Sequence, residues 1–376
     1  MPDEATPAPS NTSPPKQRLV SLDALRGFDM FWIVGGDELA KAVAVFGEPG
    51  KKVAEQFDHV AWKGFHFEDL IFPLFVFMAG VSLVFSLGGK MAEGGKGAAF
   101  FRLARRALLL VVLGILYYRG SRSGVRVLGV LQRIGLAYLG AGTLFLFFKP
   151  KALIGWCAAI LVGYWAMLAL IPVPGIGAGH FEEGKNLTNW VDSQYLPGFK
   201  WDGQWDPEGL LSTLPAVGSC LLGVFAGLII RDPNKTHQER IRLFLVLGVS
   251  LLAVGFGWGT VFPIIKKLWT SSFVCVAGGW SFLLLASFYY IVDVRGIQTW
   301  AKPFIWIGMN SITIYLLENV MNYTSLAGRI TGGPLSHWLD GAVGKGAGAW
   351  VTDLAGLILC VAIARFLYVR KLFLRV

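Results

Sequence analysis

The chain has 376 residues, of which 54% are hydrophobic and only 15% charged, and its mean hydropathy is +0.56. A soluble domain carries about a quarter charged residues, so an ordinary aqueous surface is excluded, and disorder along the whole chain is excluded for want of polar sequence. The 47 glycines show no three-residue period, which excludes collagen, and the net charge of +10 is scattered over loops rather than gathered on one face, which argues against a nucleic-acid partner.

Residues 1–17 are Pro-, Ser- and Thr-rich and read as a disordered cytoplasmic tail, ahead of one transmembrane domain over 18–376. The tail lacks the basic start, apolar middle and small-residue cleavage site of a signal peptide. A bilayer crossing needs roughly 20 apolar residues. Ten stretches approach that length, at about 27–46, 69–88, 101–118, 127–148, 152–172, 209–230, 241–262, 270–292, 303–321 and 349–369. The expected fold is all-α, a polytopic membrane bundle of about ten transmembrane helices. An even count puts both termini on one side, and that side holds 20 Lys/Arg against 14 on the other. The bias places both termini in the cytoplasm. The segments 47–65, 173–208 and 322–348 then face outward, and the longer two have the length of functional loops. Cys157, Cys220, Cys275 and Cys360 each sit alone in an apolar run, with no spacing for zinc or a disulfide framework, and they read as small core hydrophobes.

An ionisable group near the centre of a membrane helix costs roughly 2.5–3.5 kcal/mol on insertion scales. The first stretch carries Asp29, Asp37, Glu38 and Lys41, so it must line protein or a wet cavity. Gln132 and Arg133 in the fourth, and Asn310, Ser311, Glu318 and Asn319 in the ninth, carry the same implication. Arg133 reads either as a headgroup anchor or as an internal cation, and Asn310 and Ser311 either as interhelical hydrogen-bonding groups or as part of a site. Ser21 reads as the cap of the first helix, followed by Asp23 in its first turn. Arg26 opposes the helix dipole there and requires an anionic partner, Asp23 or a ligand.

The densest polar–aromatic stretch is FDHVAWKGFHFEDLIFPLFVF, with His59, Trp62, His66, Glu68 and Asp69 on the outer surface. No HExxH, nucleophile elbow, phosphate loop or dinucleotide fingerprint occurs, so no metal site is expected and any enzyme chemistry falls to histidine and carboxylates.

Five segments occur in order: RLVSLDALRGFDMFWIVGG, HVAWKGFHFEDLIFPLFVFMAGVS, VRVLGVLQRIGLAYL, WDPEGLLSTLPAVGSCLLGVFAG and KPFIWIGMNSITIYLLEN. Together they resemble the membrane-bound heparan-α-glucosaminide N-acetyltransferase family, part of a larger transmembrane acyltransferase superfamily, from about residue 18 to 322. The resemblance implies transfer of an acetyl group from cytosolic acetyl-CoA to an amine on a sugar or glycan beyond the membrane. It implies His59 as the catalytic histidine; Asp37, near the outer end of the first stretch and one loop away, is expected to orient it. It assigns Arg26, Arg133, Gln132, Asn310 and Ser311 to the CoA, with the two arginines meeting the phosphates at the cytoplasmic end. Trp62, Asp69 and Glu208 are expected to border the acceptor. The animal lysosomal enzyme has asparagine where Asp37 aligns and a large lumenal N-terminal domain, which points here to a bacterial cytoplasmic membrane and leaves the acceptor an amino sugar of unspecified kind. A homodimer is suggested by the resemblance alone. A solute transporter without acyltransfer activity, or a noncatalytic scaffold, would share the composition.

Overall fold

The computed structural model describes residues 19–118, 124–331, 333–342, 344 and 346–374, so the tail over 1–17 lies outside the described residues. Among them the regular elements are helices, and the extended pairings are two isolated bridges, Arg126 with Gly198 and Val173 with Gly177. In chain order the α-helices are α1 Val20–Phe31, α2 Asp37–Lys41, α3 Glu48–Ala54, α4 Glu68–Tyr118, α5 Val130–Phe147, α6 Pro150–Leu170, α7 Leu187–Tyr195 and α8 Thr213–Arg231. They continue as α9 His237–Trp258, α10 Ser271–Phe288, α11 Lys302–Met309, α12 Ser311–Met321, α13 Tyr323–Thr331, α14 Gly333–Ala342 and α15 Ala347–Val369.

Seven helical segments among the described residues are long and apolar enough to cross a membrane, and the α11–α12 pair, bent by 82°, makes eight if it is one span. Two of the ten expected stretches fall short by the same measure. The first is interrupted: α1 has 12 residues and runs into a π-turn at Trp32–Gly36, where Val34 and Gly35 leave helical geometry. The third carries Arg102, Arg105 and Arg106.

That third stretch is the second arm of α4. At Gly95 the backbone takes φ 74°, a conformation that glycine adopts without steric cost, and the chain reverses. Leu83 of the first arm and Leu103 of the second therefore meet the same Gly142 of α5. Small residues also set the crossing of α1 and α11. A Cβ on Gly27 would fall on the Phe304 carbonyl, and one on Gly308 on the Asp23 carbonyl, so only glycine lets these backbones touch. The main core lies where α1, α4, α5, α8 and α10 meet, around Leu25, Leu74, Val81, Leu131, Ala216 and Phe273.

Caps follow local chemistry. Thr236 and Glu239 form a reciprocal capping box on α9, and Thr270 caps α10. Ser21, expected as a cap, lies inside α1, where its N–H donates to Asp293 Oδ1 at 3.3 Å and its hydroxyl to Asp293 Oδ2. The segment 322–348, expected as a loop, folds over most of its described residues as α13 and α14, because its apolar residues recur at helical spacing. Asp340 then accepts from Gly346 N and Gly348 N at the start of α15.

Candidate functional site

His59 sits on the loop ahead of α4, and buried carboxylate chemistry shapes that loop. Asp69, in the first turn of α4 and 1% exposed, accepts from the backbone N–H of His66 at 3.0 Å and of Val60 at 3.4 Å through Oδ2. Its other oxygen lies 3.1 Å from His59 Nδ1 and 3.5 Å from Lys266 Nζ. Lys266 Nζ is also 3.0 Å from His59 Nδ1 and 3.2 Å from Nε2. The His59 ring itself is half exposed, at 57%. Gly64 N donates to Ile264 O at 2.9 Å, tying this loop to the one that carries Lys266.

Asp37 is elsewhere. Its carboxylate pairs with Lys41 at 3.1 Å, and Lys41 bridges onward to Asp58 at 3.4 Å. The partner expected for His59 therefore reaches it through a lysine and the residue next door, while Asp69 makes the direct contact. Trp62 donates to Phe181 O at 2.9 Å and meets Trp205 edge to face, fastening the His59 loop to the segment before α8.

His59, Lys266, Glu208, Arg126 and Arg133 line one cavity of about 630 Å³, closed by Phe72, Trp269 and Tyr315. Arg126 grips Asp206 bidentately, at 2.9 and 2.6 Å, and reaches Glu208 at 2.5 Å. Its guanidinium lies over Tyr118 and Trp201. Arg133 donates to Pro207 O at 2.8 Å and to Ser212 Oγ, and lies over Trp269. Its Nε is buried without a partner. Gln132 is buried and donates to Arg126 O at 3.3 Å, lining neither this cavity nor the next.

Arg26, Arg106, Ser82, Asn310 and Ser311 line a second cavity of about 300 Å³. Arg26 holds Ser82 Oγ at 2.8 Å and Asp23 at 3.4 Å. Asn310 stands at the break between α11 and α12, 3% exposed, with neither side-chain atom partnered. Buried amide groups are ordinarily hydrogen-bonded, so both atoms are open to a polar partner. Phe75, Leu131, Ile134 and Ile312 line both cavities and form an apolar layer between them.

The two arginines expected at one set of phosphates are thus apart. Arg26, Asn310 and Ser311 belong to the smaller cavity, and Arg133 and Glu208 to the larger one with His59. The reason is topological: Arg133 opens α5, which starts on the face where the second arm of α4 ends, and that is the face of His59. Arg126, Asp206 and Lys266 join the site through the fold rather than through any catalytic motif. A lysine pair set between Ile265 and Leu268–Trp269 is a visible signal for the last of these.

A family model described as heparan-alpha-glucosaminide N-acetyltransferase, catalytic, matches residues 18–255. The chain belongs to that family. The human heparan-alpha-glucosaminide N-acetyltransferase is 29% identical over 85% of this chain and 56% of its own length. The mouse protein of the same name is 28% identical over 96% of this chain and 62% of its own. The chain therefore spans about three-fifths of the length of these relatives. The matched residues hold His59, Asp69, Arg26, Arg126, Arg133 and Glu208, whereas Lys266, Asn310 and Ser311 lie beyond them.

Proposed function

We propose that the chain is a membrane N-acetyltransferase that moves an acetyl group from acetyl-CoA to an amino-sugar acceptor, with His59 at the reacting centre. The observation that carries this reading is the pair of cavities back to back: a cationic one around Arg26 and Arg106 with an unpartnered Asn310, and a larger one lined by His59 and Lys266, with Asp69 in contact with both residues. The phosphates of CoA meet Arg26 and Arg106, for which a guanidinium fork is suited. The pantetheine arm passes Asn310 and the apolar layer, and the thioester reaches His59. Arg133 and Gln132 then serve the wall of the acceptor cavity, by holding Pro207, Ser212 and the Arg126 loop.

The acceptor, entering as the free amine, must lose an N–H proton as its nitrogen attacks the thioester. A neutral imidazole takes that proton, and general-base help of this kind is worth typically 10²–10⁴-fold. Asp69 against Nδ1 holds the ring and stabilises the imidazolium, as carboxylates do in hydrolase triads. The alternative route has the ring attack the thioester and carry the acetyl group covalently. Labelled acetyl retained on the protein before acceptor is added would select the covalent route.

The orientation follows the same reading. α1 and the second arm of α4 complete ten spans, with both termini in the cytoplasm of a bacterial membrane. Leu374 and Arg26 line one cavity, which supports the chain ends sharing a face. The broken α11–α12 helix is the feature that favours a transporter instead, since transporters place such breaks at their binding sites. Purified protein incubated with labelled acetyl-CoA and glucosamine decides between the two: acetylated glucosamine is expected from wild type and not from His59→Ala. No product from wild type, with glucosamine taken up by vesicles reconstituted with the same protein, would favour the transporter.

A further inference from the structure

The ammonium of Lys266 stands against both Asp69 and the His59 ring. Its Nζ lies within 3.2 Å of both His59 ring nitrogens and lines the same cavity. The backbone that presents it is tightly built. Trp269 N donates to Lys266 O at 2.8 Å, Ile265 N to Thr270 Oγ1 at 3.1 Å, and Thr270 Oγ1 to Pro263 O at 2.9 Å. Trp269 closes this turn with φ 52°, a left-handed conformation that a bulky side chain seldom takes, and such strain gathers at functional sites. The neighbouring Lys267 is committed to Asp202 at 2.9 Å, so the two lysines have different duties.

Resting on the acyltransfer reading above, we infer that Lys266 is a catalytic residue whose Nζ donates to the thioester carbonyl oxygen as the acceptor nitrogen attacks. In that step a C–N bond forms and the carbonyl π pair moves onto oxygen, where Lys266 meets the developing negative charge. The nitrogen's proton passes to His59. When the intermediate collapses, the C–S bond breaks, its electron pair leaves on sulfur, and the imidazolium returns the proton to give free CoA thiol. Lys266 gains and loses nothing; its part is electrostatic, and preorganised donors of this kind are often the largest contribution to acyl transfer. Burial draws its pKa below the ordinary lysine range, against the pull of Asp69, Glu68 and Glu208, and a more acidic donor is the better match for an oxyanion.

The test uses full-length protein in detergent and separates this role from simple support of His59. In His59→Ala, which cannot turn over, bound acetyl-CoA is expected to show its thioester C=O infrared band at lower frequency than in solution. In His59→Ala/Lys266→Met the band is expected to return to its solution position. With His59 intact, Lys266→Met should lower kcat at least 100-fold with acetyl-CoA affinity held within threefold, and Lys266→Arg should recover at least tenfold of that loss. An identical band with and without Lys266, or a Lys266→Met kcat within threefold of wild type, overturns the inference. Should wild type form no acetylated product, the acyltransfer reading falls by itself; should His59→Ala turn over normally, only the role of His59 falls, and the band comparison, made without acceptor, still decides Lys266.

Discussion

At the scale of single residues, the site is organised by which carboxylate touches which base. Asp69 contacts His59 directly while Asp37 is spent on Lys41, so Asp69→Asn should lower kcat about 100-fold or more and Asp37→Asn much less. Steady-state rates of the two variants, at saturating acetyl-CoA, check the order; a reversed order would restore Asp37 as the partner. Asp192 offers a pH test. Its buried carboxyl accepts from Leu210 N at 2.9 Å and Asp206 N at 3.4 Å, yet burial pushes its pKa up to about 6. An unfolded aspartate titrates near 3.9, so between about pH 4 and pH 6 the folded chain binds the extra proton. Asp192 then favours folding at low pH, and that contribution is lost as pH rises through 6, by up to about 3 kcal/mol. Melting midpoints of wild type relative to Asp192→Asn should therefore fall from pH 5 to pH 7. The choice between Asp37 and Asp69 was not legible in the sequence, because both lie near the outer ends of spans and only the loop's hydrogen bonds turn one of them inward. Lys266 was further from view still, 207 residues from His59 along the chain.

At the scale of elements, the apolar runs of about 20 residues were legible because a bilayer imposes that length whatever the packing. What pattern alone could not supply was which runs bend, reverse or stop. α4 reverses at one glycine, the first stretch loosens into a π-turn, and the ninth breaks at Asn310. Ile33 of the π-turn lines the larger cavity, and Asn310 at the α11–α12 break lines the smaller one. The Arg126 cluster shows the energetic side of this: its guanidinium, 3% exposed, satisfies Asp206 and Glu208 together and links the start of α5 to the approach of α8. Removing one partner of a buried ion pair strands the other charges, at a cost of about 3–5 kcal/mol. Arg126→Ala should accordingly lower thermal stability sharply, whereas Lys51→Ala, whose pair with Glu48 is exposed, should leave it nearly unchanged. Equal melting midpoints in the two variants would show that the cluster does not hold these elements.

At the scale of the whole molecule, the two cavities pose a single physical question: whether donor and acceptor enter from opposite faces. His59, Arg126, Arg133 and Lys266 line the larger cavity, and Arg26, midway along α1, lines the smaller one with Leu374. Phe75, Leu131, Ile134 and Ile312 form an apolar layer that lines both cavities. A pantetheine arm suits that layer, since its methylenes and gem-dimethyl group accept apolar walls and its amides can be met by Asn310. Hydrated ions and sugars do not suit it, so the proposed reaction keeps the acceptor on its own side and needs no transport of a sugar. Filling the layer should therefore separate binding from transfer. Ile134→Trp, on a helix that already carries bulky residues, should leave the phosphates of CoA able to bind at Arg26 while the acetyl group no longer reaches His59. The expected result is a fall in turnover of at least 100-fold with the affinity for desulfo-CoA within tenfold of wild type, measured on the same preparation. Retained turnover would mean that the acetyl group travels by another route, and the two cavities would then have to be read as separate sites.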